Sequence, residues 1–531
     1  MNSDLHFPGL ARQVACACLA AAAIAAPAQC AAATPIDATF AVRSFAIDGL
    51  AASDDPAPLL ARLQRFIGDH VAVADLNDAT AALEATLHDR GRLVRVTLPP
   101  QDLTDGVVHL RVQPVILRRL ESSNPAVLDE QRLHRLLPTL VEGESPDLQA
   151  VARNIALVND NPVRHATLNF RQADAGAAAP GQVDVVATPE LAATPWVASL
   201  QVNNEGPAAP THWHLQGVLA YANLFDLGHV ASLTWTTAPG AVDDLRQYGA
   251  FYTLPWYDTG ASLSAYAFRS TSRTGAAVAG LISVSGSGRF AGLSMKQRLR
   301  APGPWIPAWS LSIDDKRFDN GSAVAGQAAG GVVRSRPLTV GATLDLDTPR
   351  VRATLGAQAA TNLTGGAANN DAAYAASRQD AHADWQVVRI NGQASVRLDS
   401  GAALVTHASA QFTHDALITG EQVGLGGSDS IRALEVRQFN GDRGWQASAE
   451  AWSPEWVAGL RVLAFLDAGR VHEARQGGAP RPGAVAAGLG ARWTINTRLS
   501  LSADWGHVLS GVGGIPESAR RVYIALDARI D

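Results

Sequence analysis

The chain has 531 residues, 17% of them charged, a formal net charge of −6 and a mean hydropathy of +0.02. That length admits several domains or one large barrel, and the mild acidity without a Lys/Arg block excludes nucleic acid as the main partner. The three cysteines, Cys16, Cys18 and Cys30, all lie near the N-terminus, so the rest of the chain has neither a disulfide framework nor a cysteine zinc site.

Residues 1–28 read as a secretory signal. Arg12 supplies the positive region, Val14 to Ala26 an apolar stretch too short to span as a helix, and Ala26-Pro27-Ala28 a small-x-small cleavage site. Beyond it no apolar run reaches the roughly eighteen residues of a spanning helix. An exported chain that meets a bilayer without such helices must close its backbone into an antiparallel barrel.

Two copies of one pattern follow, at 42–114 and 115–190. Val42 to Leu50 reads as a strand ending at a glycine. Two helical stretches come next, the second with Leu76, Ala79, Leu83 and Leu87 on one face and Gly91 as its stop. Leu93 to Leu98 and Val107 to Val112 read as strands. The order then repeats: strand Val115 to Leu120, helices Leu128 to Leu137 and Leu148 to Val158, strands Ala166 to Phe170 and Val183 to Ala187. This order resembles the polypeptide-transport-associated (POTRA) module of outer-membrane assembly and secretion proteins. The turn Leu98-Pro99-Pro100-Gln101-Asp102-Leu103-Thr104-Asp105-Gly106 is similar to the "P-Q-x-L-x-x-G" turn of the first such module in two-partner secretion transporters. Asn159-Asp160-Asn161-Pro162 with Gly181-Gln182-Val183-Asp184-Val185 is similar to the second.

Residues 195–531 carry a different signal. All twelve Trp and all seven Tyr lie at or beyond Trp196, as expected for the aromatic rims of a membrane barrel. Period-two alternation runs through Val388 to Asp399, with Arg389, Asn391, Gln393, Ser395 and Arg397 opposite Val388, Ile390, Ala394 and Val396. It recurs near the end, where Val522, Ile524, Leu526 and Ile530 alternate with mostly polar residues. About sixteen antiparallel strands are expected, beginning near 196, 213, 230, 245, 261, 287, 308, 338, 351, 384, 403, 444, 458, 484, 499 and 520. Such a membrane β-barrel encloses a watery lumen. Gly321 to Gly331 and Gly365 to Asn370 read as low-complexity loops.

Between the eleventh and twelfth expected strands stands Gly424-Leu425-Gly426-Gly427-Ser428-Asp429-Ser430-Ile431-Arg432-Ala433-Leu434, and the thirteenth contains Phe465-Leu466-Asp467-Ala468-Gly469. Alternation along Leu460 to Asp467 sets Leu460, Val462, Ala464 and Leu466 on the lipid face and Asp467 toward the lumen. A long loop folded inward would bring Arg432 beside Asp467 as a directional guanidinium–carboxylate pair, although by the residues alone two unrelated barrel charges is the simpler reading.

These stretches resemble the "G-G-x-x-S-[VI]-R-G-[FY]" loop motif and the "F-x-D-x-G" wall motif of the outer-membrane assembly-factor superfamily. With Asn440-Gly441-Asp442-Arg443-Gly444 and Glu450 in order, the resemblance is to the two-partner secretion transporters, the haemolysin secretion/activation family. It implies that Arg432, Asp467, Phe465, Gly469, Gly426 and Gly427 position or gate the loop. It also implies an outer-membrane transporter of one large haemolysin- or adhesin-like exoprotein, bound through periplasmic POTRA modules and in some members activated in passage. The remaining partners implied are outer-membrane lipid and, during biogenesis, the barrel-assembly machinery. The chain departs from the pattern at Ala433 and Leu434, where a glycine and an aromatic are usual, and at its C-terminal Arg529-Ile530-Asp531, where an aromatic is usual. The stretch ahead of Val42 is also too short for the plug helix of some members.

No Walker loop, dinucleotide fingerprint, zinc-protease or hydrolase signature occurs, so neither an enzyme nor a cofactor is expected. His212-Trp213-His214 puts two imidazoles on one strand face, too few ligands for a metal. An assembly factor that inserts other barrels, or a passive porin, is the alternative reading.

Overall fold

The computed structural model describes residues 39–530, apart from 53, 173–180, 192–193, 207–211, 273–276, 280–281, 285–286, 302, 320–321, 325–326, 330 and 475–480. The secretory signal expected at 1–28 and parts of the Gly321 to Gly331 loop lie outside the described residues.

The first module comprises β1 (Thr39–Val42), β2 (Ser44–Asp48), α1 (Pro56–Leu63), β3 (Gly68–Ala72), α2 (Val73–Asp89), β4 (Val94–Thr97) and β5 (Val107–Pro114). Asp55 caps α1 by accepting from the Ala57 N–H, with Pro56 at the first helical turn. Leu76, Ala79, Leu83 and Leu87 of α2 are buried against a sheet ordered β2-β5-β4. The expected opening strand proves to be two. β1 leaves the main sheet to pair with β3, a short strand between the helices whose sequence, Gly-Asp-His-Val-Ala, carries no apolar alternation to announce it.

A second unit repeats the order with β6 (Ile116–Ser122), α3 (Glu130–Leu136), α4 (Leu148–Asn159), β7 (Arg164–Gln172) and β8 (Gln182–Leu191), its sheet ordered β6-β8-β7. Asp129 and Asp147 cap the two helices through the Arg132 N–H and through the Gln149 and Ala150 N–H groups. The units are joined end to end: the Leu148 N–H donates to the Gly91 carbonyl and the Gln149 amide to the Asp89 carbonyl.

Sixteen antiparallel strands then close into a barrel, the first (Trp196–Asn203) pairing with the last (Arg520–Ile530) from Ala198↔Ile530 to Asn203↔Ala525. Closure leaves no sheet edge exposed. The strands begin within a few residues of the expected positions, because period-two burial fixes them: on the thirteenth strand (Leu460–His472) Val462 and Leu466 are exposed on the outer face, while Leu463, Phe465 and Asp467 are buried inside. Val522, Ile524, Leu526 and Ile530 likewise face outward. Among the described residues no helix is long and apolar enough to cross a membrane.

The second unit packs on three barrel turns at one end. The buried Asn161 amide donates to the carbonyls of Ala222 (2.7 Å) and Gly228 (3.2 Å). Asp160 accepts from Arg298 (2.6 Å), Arg153 donates to the Asp258 carbonyl (2.9 Å), and Arg132 meets Asp226 (3.0 Å). Arg164 donates to the Asn223 side chain, and burial there pulls its guanidinium below its ordinary pKa. These contacts mark one rim of the barrel as the module side. They also explain why Phe225 and Asp226 accept positive φ: the turn is held from outside.

Asn161→Ala strands two buried carbonyls and is expected to weaken this docking by about 1–3 kcal/mol. Hydrogen exchange in detergent should then speed up across α4 and β7, while the barrel keeps its heat-modifiable migration on gels.

Candidate functional site

Among the described residues, one long loop, the strap (residues 413–442), crosses the lumen between the eleventh strand (Ala403–Phe412) and the twelfth (Arg443–Trp452). Its two legs pair as a short hairpin, Val423–Leu425 with Phe439–Gly441. Beyond the hairpin Gly426 and Gly427 take φ of 106° and 118°, which a side chain resists. A Cβ on Gly426 would also strike the Glu435 carbonyl of the returning leg.

The chain then delivers Arg432 to the barrel wall. Its Nε donates to Asp467 Oδ2 (3.0 Å) and its Nη2 to Oδ1 (2.7 Å), a two-pronged contact, while its backbone N–H donates to Oδ2 as well (3.1 Å). Nη1 reaches Glu450 (2.6 Å) and Nη2 also reaches Ser448 Oγ (2.9 Å), whose own hydroxyl donates to Asp467. The guanidinium carbon stacks 3.4 Å from the centre of the Phe465 ring. Arg432 is 2% exposed and Asp467 0%. The pair is therefore shielded from water, and its worth is that of a buried ion pair held by several hydrogen bonds rather than of a surface one. Asp504, 4.0 Å from Arg432, is neutralised by its own two-pronged partner Arg492.

Phe465, Asp467 and Gly469 all point inward from alternate positions of one strand. Phe465 stacks, Asp467 pairs, and Gly469 clears space: a Cβ there would lie 2.6 Å from Leu425 of the loop hairpin. On the fifteenth strand (Leu499–Val512) Gly506 does the same for the tip, where a Cβ would lie 2.8 Å from the Arg432 carbonyl carbon. Sequence reasoning missed Gly506 and Ser448, because a lone glycine or serine on a strand carries no spacing signal. Ala433 is buried and its φ is not positive, so the glycine usual at this place is not needed for the turn.

The tip also reaches the barrel seam. Ser428 donates to Glu205 (2.5 Å), Arg521 pairs with Glu435 (2.9 Å), and the Tyr523 hydroxyl donates to the Leu434 carbonyl. The root is fixed on the opposite wall. Glu421, 1% exposed, accepts from Lys316 (3.1 Å), Ser335 (3.1 Å) and Arg389 (3.4 Å). Asp442 accepts from Arg378, Gln422 and the Leu417 and Ala474 N–H groups. Arg378 belongs to the 363–385 loop. The expected loop at Gly365 to Asn370 leads directly into a helix, α5 (Asp371–Ser377), which Asn370 caps. Tyr374 and Trp385 of the 363–385 segment are fully buried against Leu417 and Ile418 of the strap. Two helical turns are too short for apolar periodicity to show in sequence. Among the described residues no group of His, Cys, Asp and Glu could hold a metal.

A family model described as haemolysin secretion/activation protein ShlB/FhaC/HecB matches residues 181–493, and one described as POTRA domain, ShlB-type, matches residues 40–114. Among solved structures, CdiB from Escherichia coli is similar over 94% of this chain and 92% of its own, with a TM-score of 0.71 and 19% identity. CdiB from Acinetobacter baumannii is similar over 93% and 90%, with a TM-score of 0.68 and 15% identity. At these identities the likeness is one of fold. No curated protein matches the chain.

Arg432→Ala leaves Asp467 buried without its partner, at a cost of about 3–5 kcal/mol to the seated loop. The tip is expected to become cleavable by protease added from the far side of the barrel and the ion conductance in planar bilayers to rise. Gly506→Val should do the same with every charge in place. Unchanged cleavage in both variants would show that the tip is seated by something else.

Proposed function

This chain belongs to the haemolysin secretion/activation protein family of outer-membrane barrels with periplasmic POTRA modules, and we propose that it recognises one large exoprotein in the periplasm and passes it unfolded to the cell surface. The observation that carries the reading is a wide barrel crossed by a strap whose tip is held to the wall by a buried Arg432–Asp467 pair as well as by apolar packing. Arg432, Asp467 and Phe465 set the strap's position, Gly426 and Gly427 shape its tip, and Gly469 leaves it room. A threading polypeptide displaces the tip and gains the lumen. No nucleotide is needed, and folding of the client outside supplies the direction. By the family likeness the client is a haemolysin- or adhesin-like protein.

Client capture is assigned to the second α/β unit, taken as a second POTRA module. An unfolded chain adds a strand to an open sheet edge through main-chain hydrogen bonds, with few demands on sequence. In the first module the β4 edge is closed by its own helix: Glu84 accepts from the Val96 N–H, and His88 meets the Val94 carbonyl. In the second, β6 is closed by the Glu144 and Glu142 contacts to Leu117 and Leu120. Among the described residues β7 is capped only at Ala166, whose N–H and carbonyl both bond the Asn159 side chain. Ala166 thus faces away from β8. By antiparallel alternation so do Leu168, Phe170 and Gln172, a free ladder of three residues.

Deleting the gene is expected to remove one large protein from the secreted fraction and to leave other outer-membrane barrels intact. A general fall in barrels would instead favour an assembly factor, and a loss of solute permeability alone a porin. Asn169→Lys with Gln172→Pro, which places a charge and a missing donor along the β7 edge, should reduce client pull-down and secretion together in a barrel that inserts normally.

A further inference from the structure

Four arginines stand shoulder to shoulder on the outer surface of the barrel. Arg269 on the fifth strand (Ala261–Ser272) pairs directly with Arg289 on the sixth (Ser287–Arg298). Arg289 pairs with Arg317 on the seventh (Trp305–Asp319), and Arg317 with Arg334 on the eighth, which opens at Val332–Ser335. Their chain neighbours Phe268, Phe290, Phe318 and Val333 are buried in the lumen, so the arginines face outward. Tyr248, paired with Arg269 and 53% exposed, extends the row.

The row has a definite depth. The module-side rim of this wall is marked by the outward Trp256 and Trp309. Arg317 lies eight positions beyond Trp309 on the same strand face, or about 20 Å along the barrel axis for a strand rise of ~3.4 Å and a tilt near 40°. The outward apolar band of such barrels is about 25 Å tall. The arginines therefore sit where the outer leaflet's headgroups meet its acyl chains. Directly beneath them Ala250, Ala267 and Ala291 form a cross-strand row of small residues that leaves space against the wall.

Like charges directly opposite one another on a sheet are destabilising, and here three such pairs follow in succession. Only part of this charge is answered within the chain: Arg317 meets Asp319 (3.1 Å), and Arg334 meets Asp315. Among the described residues neither Arg269 nor Arg289 meets a carboxylate. Guanidinium forks match phosphate oxygens in geometry and charge. We propose that this row is a binding site for the phosphate groups of an anionic outer-leaflet glycolipid. The alanine row lets the first acyl segments lie against the barrel, and Arg269 and Arg289, the two that meet no carboxylate among the described residues, take the phosphates. The site lies on the lipid side of the wall whose inner face carries Lys316 and Ser335, the anchors of Glu421.

The test uses the full-length protein in neutral detergent, titrated with diphosphoryl lipid A, with the same lipid after enzymatic dephosphorylation, and with inorganic phosphate, bound lipid being counted by native mass spectrometry. The wild type is expected to hold the phosphorylated lipid at least roughly tenfold more tightly than the dephosphorylated one. Inorganic phosphate at equal concentration should not displace it. Arg269→Gln with Arg289→Gln should lose that preference, whereas Arg350→Gln with Arg498→Gln on the opposite rim should keep it. Equal binding of the two lipids by the wild type would refute the site even if the first variant failed to fold. Unchanged binding in that variant would refute it too, and so would full displacement by free phosphate.

Discussion

A guanidinium buried inside a barrel must find a partner for every prong, and that requirement organises the lumen of this protein. Arg432 carries a charge that water does not reach. It is stable there because Asp467 takes two of its protons, Glu450 a third and Ser448 a fourth, with Asp504 4.0 Å away and Phe465 covering the flat face. The surrounding wall follows from this. Gly506 and Gly469 are bare so that backbone and hairpin can approach, and Ser448 is small and polar so that it can bridge. None of these residues has a reason of its own to be what it is.

The strap is asymmetric. Its root is tied through Glu421 and Asp442 to the wall and to the 363–385 loop, and is backed by the apolar cluster of Tyr374, Trp385, Leu417 and Ile418. Its tip is tied by ion pairs and hydrogen bonds to Asp467, Glu205 and Arg521, and by an apolar cluster in which Leu425, Ile431, Ala433 and Leu434 pack against Val471, Ala484, Ala486 and Val508 of the wall. The two ends differ in what they are tied to: the root holds to the 363–385 loop as well as to the wall, and the tip to the wall alone.

The strands were legible because one face meets lipid and the other the lumen, and a one-residue slip would invert every side chain. Leu460 to Asp467 is a case in point: outer and inner residues fall where alternation puts them. The short strand β3 and helix α5 were not legible, since neither is long enough to show a period. Within the site, Arg432, Phe465, Asp467 and Gly469 stood out through motif spacing. Asp442 lies in the Asn440-Gly441-Asp442-Arg443-Gly444 stretch, which by itself assigns it no role, and Glu421, Ser448 and Gly506 give no signal.

The sequence by itself determined the architecture: a barrel of alternating strands with two α/β units before it. These follow from local rules, periodicity and turn chemistry, that act within a few residues. The tertiary structure decided which module edge is left open, how the strap is rooted, and that Arg269, Arg289, Arg317 and Arg334 form one row. Each of those depends on which residues closure of the barrel and docking of the modules bring side by side, and register between distant segments is set by the whole sheet rather than by any one strand.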